Sequence, residues 1–132
     1  MSNVEFDIDL LREVLRQVSH ATAVACERFA QIDSAADFTA SDEGLIYLDA
    51  ICMQLIAIGE SIKNIDKITG GEYLLRYPQV EWKRVMGMRD VLSHHYFDVD
   101  AEIVFSVCEH GLPELTTTLQ RMQDDLEHTD EE

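Results

Sequence analysis

Residues 6–32 read FDIDLLREVLRQVSHATAVACERFAQI, and the spacing of the apolar side chains in this stretch decides the fold. Leu10, Leu11, Val14, Leu15, Val18, Ala21, Ala25, Phe29 and Ile32 recur at steps of three and four, the period of one helix face. A helix with one apolar face needs other helices or a sheet to cover it. No stretch of the chain alternates as a half-buried strand would, so the cover must be helical. Downstream, Leu45, Leu48, Cys52, Leu55, Gly59 and Ile62 mark a second helix over about 43–65, with Ser41 or Asp42 as its cap. Its glycine lets a neighbouring backbone come close. Gly70-Gly71 and Pro78 punctuate the next section, where 72–77 reads as a short helix. A third helix starts near Val80 and carries Trp82, Val85, Arg89, Leu92 and Tyr96 at steps of 3, 4, 3 and 4. Asp100 caps a fourth, which Gly111 ends, and Pro113 opens a fifth that runs through Leu115, Leu119, Met122 and Leu126. The reading is an all-α, up-and-down bundle of about five helices. It forms one domain over 1–126, followed by an acidic, frayed tail over 127–132.

Composition narrows the function. A 132-residue chain that is 46% apolar is long enough for one hydrophobic core. It has no long uncharged apolar run and no basic, cleavable N-terminal leader, so a cytoplasmic protein that does not enter the membrane is expected. Cys26, Cys52 and Cys108 lie far apart without a C-x-x-C pair, which suits buried free thiols in a reducing compartment. The formal charge of −16 opposes binding of a polyanion. Its distribution softens that objection: residues 61–95 hold Lys63, Lys67, Arg76, Lys83, Arg84 and Arg89 against four acids, whereas 98–132 hold Arg121 alone against eleven.

The segment 89–96, RDVLSHHY, concentrates the chemistry. Arg89 interrupts an otherwise apolar stripe, where a desolvated guanidinium needs an anion beside it. That anion is either a structural acid such as Glu60 or Asp90, or a ligand. Asp90 stands four residues before His94 and can orient the imidazole if the helix persists. Arg89 and His94 lie roughly 140° apart on an ideal helix, so they share a ligand only where the helix bends, ends or meets a partner. A base, a cation and an acid suffice to cleave RNA through its own 2′-hydroxyl without a metal or other cofactor. A symmetric dimer would bring two sets of these residues to one phosphate. The five histidines offer no H-x3-H, E-x-x-H or similar ligand spacing, so no metal is assigned.

Arg89-x4-His94-x-Tyr96 resembles the signature of HEPN-domain ribonuclease toxins of the HepT type. The resemblance extends over about the last 75 residues through Ile58-Gly-Glu-Ser-Ile-Lys-Asn, Tyr77-Pro-Gln-Val-Glu-Trp82, Gly87-Met-Arg, Tyr96-Phe-Asp-Val-Asp-Ala-Glu-Ile-Val-Phe and Leu112-Pro-Glu-Leu115. It implies a dimeric HEPN-like bundle with the paired motifs in a cleft, and endonuclease activity on RNA rather than DNA. Arg89 would stabilise the transition state and His94 would act as acid and base, with Asp90 and His95 in support. A cognate minimal nucleotidyltransferase of the MntA type would neutralise the toxin by transferring AMP to Tyr96. His95 departs from the pattern by setting two histidines side by side. The competing reading is a helical subunit that binds a nucleotidyltransferase and has no catalysis of its own, which the acidic surface and amphipathic helices also suit.

Overall fold

A computed structural model describes residues 6–95 and 98–131, and the described chain is a helical bundle built on two long helices. Helix α1 (Ile8–Phe29) starts where Asp7 accepts the amide of Leu10, and it buries Leu11, Val14, Leu15, Val18 and Ala25. This is the face anticipated from its spacing, except that Leu10, expected on it, is 43% exposed. A short helix, α2 (Ala36–Thr39), interrupts the connection that the sequence left irregular and sends Phe38 fully into the core. Helix α3 (Asp42–Ile68) is capped by Ser41, whose hydroxyl accepts the Gly44 amide at 3.0 Å. By length and composition α3 could cross a membrane, with a mean hydropathy of 1.6 over its most apolar window. In the fold its apolar face, from Leu48 to Ile65, lies against α1 as the centre of the core. Ile46 and Met53, on the opposite side, are exposed.

Gly70 and Gly71 end α3 with φ of 73° and 81°, and the Gly71 amide donates back to the Asp66 carbonyl. The short helix expected over 72–77 is a 3-10 turn, Tyr73–Arg76. Two bonds then fix the stretch around Pro78: the Tyr77 hydroxyl donates to Asp125 at 2.6 Å, and the Trp82 indole donates to the Tyr77 carbonyl at 2.8 Å.

Where one helix was expected over 80–96, there are two short ones and a ribbon. Helix α4 (Trp82–Met86) ends at Gly87, and α5 (Met88–Leu92) follows it. The chain then makes a two-stranded antiparallel pairing of β1 (Ser93–His95) with β2 (Asp98–Val99).

Helix α6 (Ala101–Ser106) opens under Asp100, whose carboxylate accepts the amides of Glu102 and Ile103. Gly111 does not end it, contrary to the sequence reading. A π turn, Val107–Gly111, passes directly into α7 (Leu112–Glu131), with the Leu112 amide donating to the Val107 carbonyl five residues back. Pro113 supplies a reason: in a regular α-helix its ring would strike the Glu109 carbonyl, and a wider turn relieves that clash. Helix α7 continues through Glu127 as far as Glu131 and lies antiparallel to α1, as the contacts Arg12–Leu126, Ser19–Gln123 and Cys26–Thr116 require. Cys52 and Cys108 are buried, Cys26 is half-buried, and all three are free thiols.

Candidate active site

The site region hangs on α3 at Gly59. A Cβ at that position would stand 2.6 Å from the Val85 carbonyl oxygen and 3.1 Å from the Met88 Cβ. Only glycine lets the junction of α4 and α5 sit this close to α3. The junction in turn sets the phase of α5, in which Met88 and Leu92 are buried while Arg89 and Asp90 are exposed.

This corrects the placement of Arg89. The sequence pattern put it on the inward stripe, but the break at Gly87 hands that position to Met88, and Arg89 lies about 100° round from it. The guanidinium therefore carries no interior desolvation cost and needs no buried counter-ion. The residue is exposed instead. Lys83 and Arg84 on α4 are exposed too, so the α4–α5 segment carries three exposed cationic residues on a chain of net charge −16.

Asp90 does not gain the four-residue helical relation to His94, because α5 ends at Leu92 and His94 lies in β1. The same break removes the helical argument that returned Tyr96 to the face of Arg89. It does meet the condition under which Arg89 and His94 can share a ligand, namely that the helix ends between them. Backbone closure follows at once, for the Asp100 amide donates to the Leu92 carbonyl at 2.9 Å. The expected histidine chemistry at His94 and His95, and the modification at Tyr96, fall on side chains outside the described ones. Among the described residues no three His, Cys, Asp or Glu side chains are grouped to hold a metal ion.

The part of this arrangement that sequence reasoning missed is the Gly87 break. The signal was present: Gly87 stands between two apolar residues, Met86 and Met88, and a stripe shifted by one residue selects Met88 as readily as Arg89.

Known proteins point the same way. A Methanocaldococcus jannaschii protein provisionally named as an RNase is 33% identical over 82 residues, 62% of this chain and 64% of its own length. A second from the same organism, also provisionally named as an RNase, is 31% identical over 91 residues, 69% of this chain and 70% of its own. A Thermococcus cleftensis protein named a probable ribonuclease HepT is 28% identical over 74 residues, 56% of this chain and 64% of its own. The chain thus spans about two thirds of the length of these relatives. No solved structure matches it significantly. The sequence profile described as Ribonuclease HepT-like matches residues 11–122, from α1 into α7 and across the whole Arg89–Tyr96 motif, and the chain belongs to that family.

Proposed function

We propose that this protein is a metal-independent endoribonuclease, the toxin of a toxin–antitoxin pair, working in the cytosol as a homodimer. The observation that carries the reading is the exposed Arg89 in the first turn of α5, with the motif histidine on the ribbon that starts where that short helix stops. Family membership supports it, as do the names of the relatives.

In this reading His94 takes the proton of a substrate 2′-hydroxyl, and the freed oxygen attacks the adjacent phosphorus. Arg89 stabilises the charge gathering on the phosphoryl oxygens. The bond from phosphorus to the 5′-oxygen breaks, and that oxygen takes a proton from the second copy's His94. The products are a 2′,3′-cyclic phosphate and a 5′-hydroxyl. Asp90 and His95 support the pair. A minimal nucleotidyltransferase of the MntA type silences the enzyme by transferring AMP from ATP to the Tyr96 oxygen, with release of pyrophosphate. The added phosphate then competes with RNA for the same cation.

Incubating the purified chain with RNA and with an all-deoxy strand in EDTA tests the chemistry. Cutting of RNA alone, with cyclic phosphate ends, is expected; a requirement for a divalent ion, or cutting of DNA, overturns it. Light scattering tests the dimer, and a monomer that still cleaves RNA removes the composite site. Tyr96→Phe retains most of the nuclease activity but escapes neutralisation by the nucleotidyltransferase with ATP. Fully neutralised wild-type protein with an unmodified Tyr96 excludes AMP transfer.

A second reading, a non-catalytic subunit that binds the nucleotidyltransferase, draws on the exposed Ile46 and Met53 of α3, at 67% and 71% exposure. Absence of RNase activity in the purified dimer, together with a stable complex, would select it.

A further inference from the structure

Between α3, the α4–α5 junction and the π turn lies a cavity of about 330 Å³. Its wall is apolar, formed by Leu55 and Ile58 of α3, Met88 of α5, Val107 of the π turn and Leu115 of α7. Four of these are buried and Val107 is half-buried. The charged lining residues, Glu81, Arg84, His110 and Glu114, are all exposed and so form the mouth. A closed apolar cavity of roughly 150 Å³ takes up benzene, and small-molecule sites begin at roughly 300 Å³. The space therefore suits a two-ring aromatic body. One wall is a π turn, an element that recurs at functional sites.

The charge at the mouth selects the head group. Glu81 and Glu114 make no ion pair with any described residue, and His110 already lies 3.6 Å from Glu109. Two unengaged carboxylates face the single guanidinium of Arg84, on a chain whose net charge is −16. An anionic head would meet repulsion from both, whereas an ammonium group gains a charge-assisted bond. We propose that this cavity is a binding site for a small aromatic amine of about two fused rings, with the rings against Met88 and Leu115 and the ammonium held by Glu81 and Glu114. Because the wall includes the junction that positions Arg89, an occupant is placed to act on the site from behind.

The test is a titration of methyl-labelled protein with three indoles that differ only in the head: tryptamine, tryptophan and indole-3-acetate, with adenosine monophosphate as a fourth probe. Saturable shifts of the Met88 and Leu115 methyl signals with tryptamine are expected, with indole-3-acetate about tenfold weaker or worse. The surface double substitution Glu81→Gln/Glu114→Gln should weaken tryptamine about tenfold while leaving the methyl spectrum of the free protein unchanged. Val107→Phe should fill the cavity and abolish the shifts; if it does not fold, the glutamine pair still decides. No saturable shift with tryptamine overturns the proposal, as do equal or tighter binding of indole-3-acetate or the nucleotide, and glutamine variants that bind tryptamine unchanged.

Discussion

Leu92 and Asp100 are joined carbonyl to amide at 2.9 Å, so the two ends of segment 93–99 are fixed to the last turn of α5 and the first turn of α6. The motif histidine therefore sits on a ribbon whose base is closed, and whose closing residue also caps the next helix through its side chain.

Asp100→Ala should cost about 1 kcal/mol through loss of that cap, and Asp100→Asn should restore most of it. Urea unfolding of the three proteins measures the difference. An alanine variant as stable as wild type would show that the cap contributes nothing.

Gly59→Ala forces a methyl to within 2.6 Å of the Val85 carbonyl, backbone against backbone, with little freedom to yield. A loss of about 1–3 kcal/mol is expected. RNase activity should fall by more than the folded fraction alone explains, because the shifted junction carries Arg89. Activity at saturating substrate, corrected for folded protein, separates the two effects; proportional losses would mean that the junction does not position the arginine.

Arg89→Ala should lower the cleavage rate about a hundredfold, as removal of one transition-state cation does. Being exposed, it should change stability by less than about 1 kcal/mol. His94→Ala should cost about 10²- to 10⁴-fold. Should His95→Ala prove the severe change and His94→Ala the mild one, the proton transfer belongs to His95.

The buried thiols give a pH signature. Burial pushes Cys52 up to about 11, helped by the nearby Asp49 charge, and pushes Cys108 up to about 12. In the unfolded chain both ionise near roughly 8.5. The folded state thus holds its thiol protons more tightly. This contribution is complete below about pH 8.5 and declines as pH rises towards the folded values. Urea midpoints should fall between pH 8.5 and 10, and a Cys52→Ala/Cys108→Ala variant should show a flatter profile. A disulfide reagent at pH 8 should modify the half-buried Cys26 well before the other two.

The long helices were legible because each carries a continuous apolar face, Leu11–Ala25 in α1 and Leu48–Ile65 in α3, and the second also shows its cap, Ser41. The motif was legible as a set of residue types. Its geometry was not, because the strands around it are two and three residues long, too short to show alternation, and their pairing is closed by the Leu92–Asp100 bond between residues eight apart. Arg89 was placed on the wrong side for a related reason. Apolar spacing assumes one uninterrupted helix, and the close contact at Gly59 that fixes where α4 stops lies in a different part of the chain.

The π turn at Val107–Gly111 has a consequence for how this chain tolerates length changes. Val104, Cys108, Leu112, Leu115, Leu119, Met122 and Leu126 are all buried, at steps of 4, 4, 3, 4, 3 and 4. Two successive steps of four drift off the face of an α-helix by about 80°, and a turn with more residues per revolution absorbs that drift. The turn works as a phase corrector between the ribbon end of the bundle and the α1-facing end. Deleting one residue from it would restore a regular α-helix with the positions beyond still in phase, whereas straightening the turn at its full length would rotate everything beyond by about 100°. Leu115, Leu119 and Met122 would then swing out of the core while the site stayed in place. A further insertion at this turn, remote from Arg89, would thus be felt first as lost packing against α1.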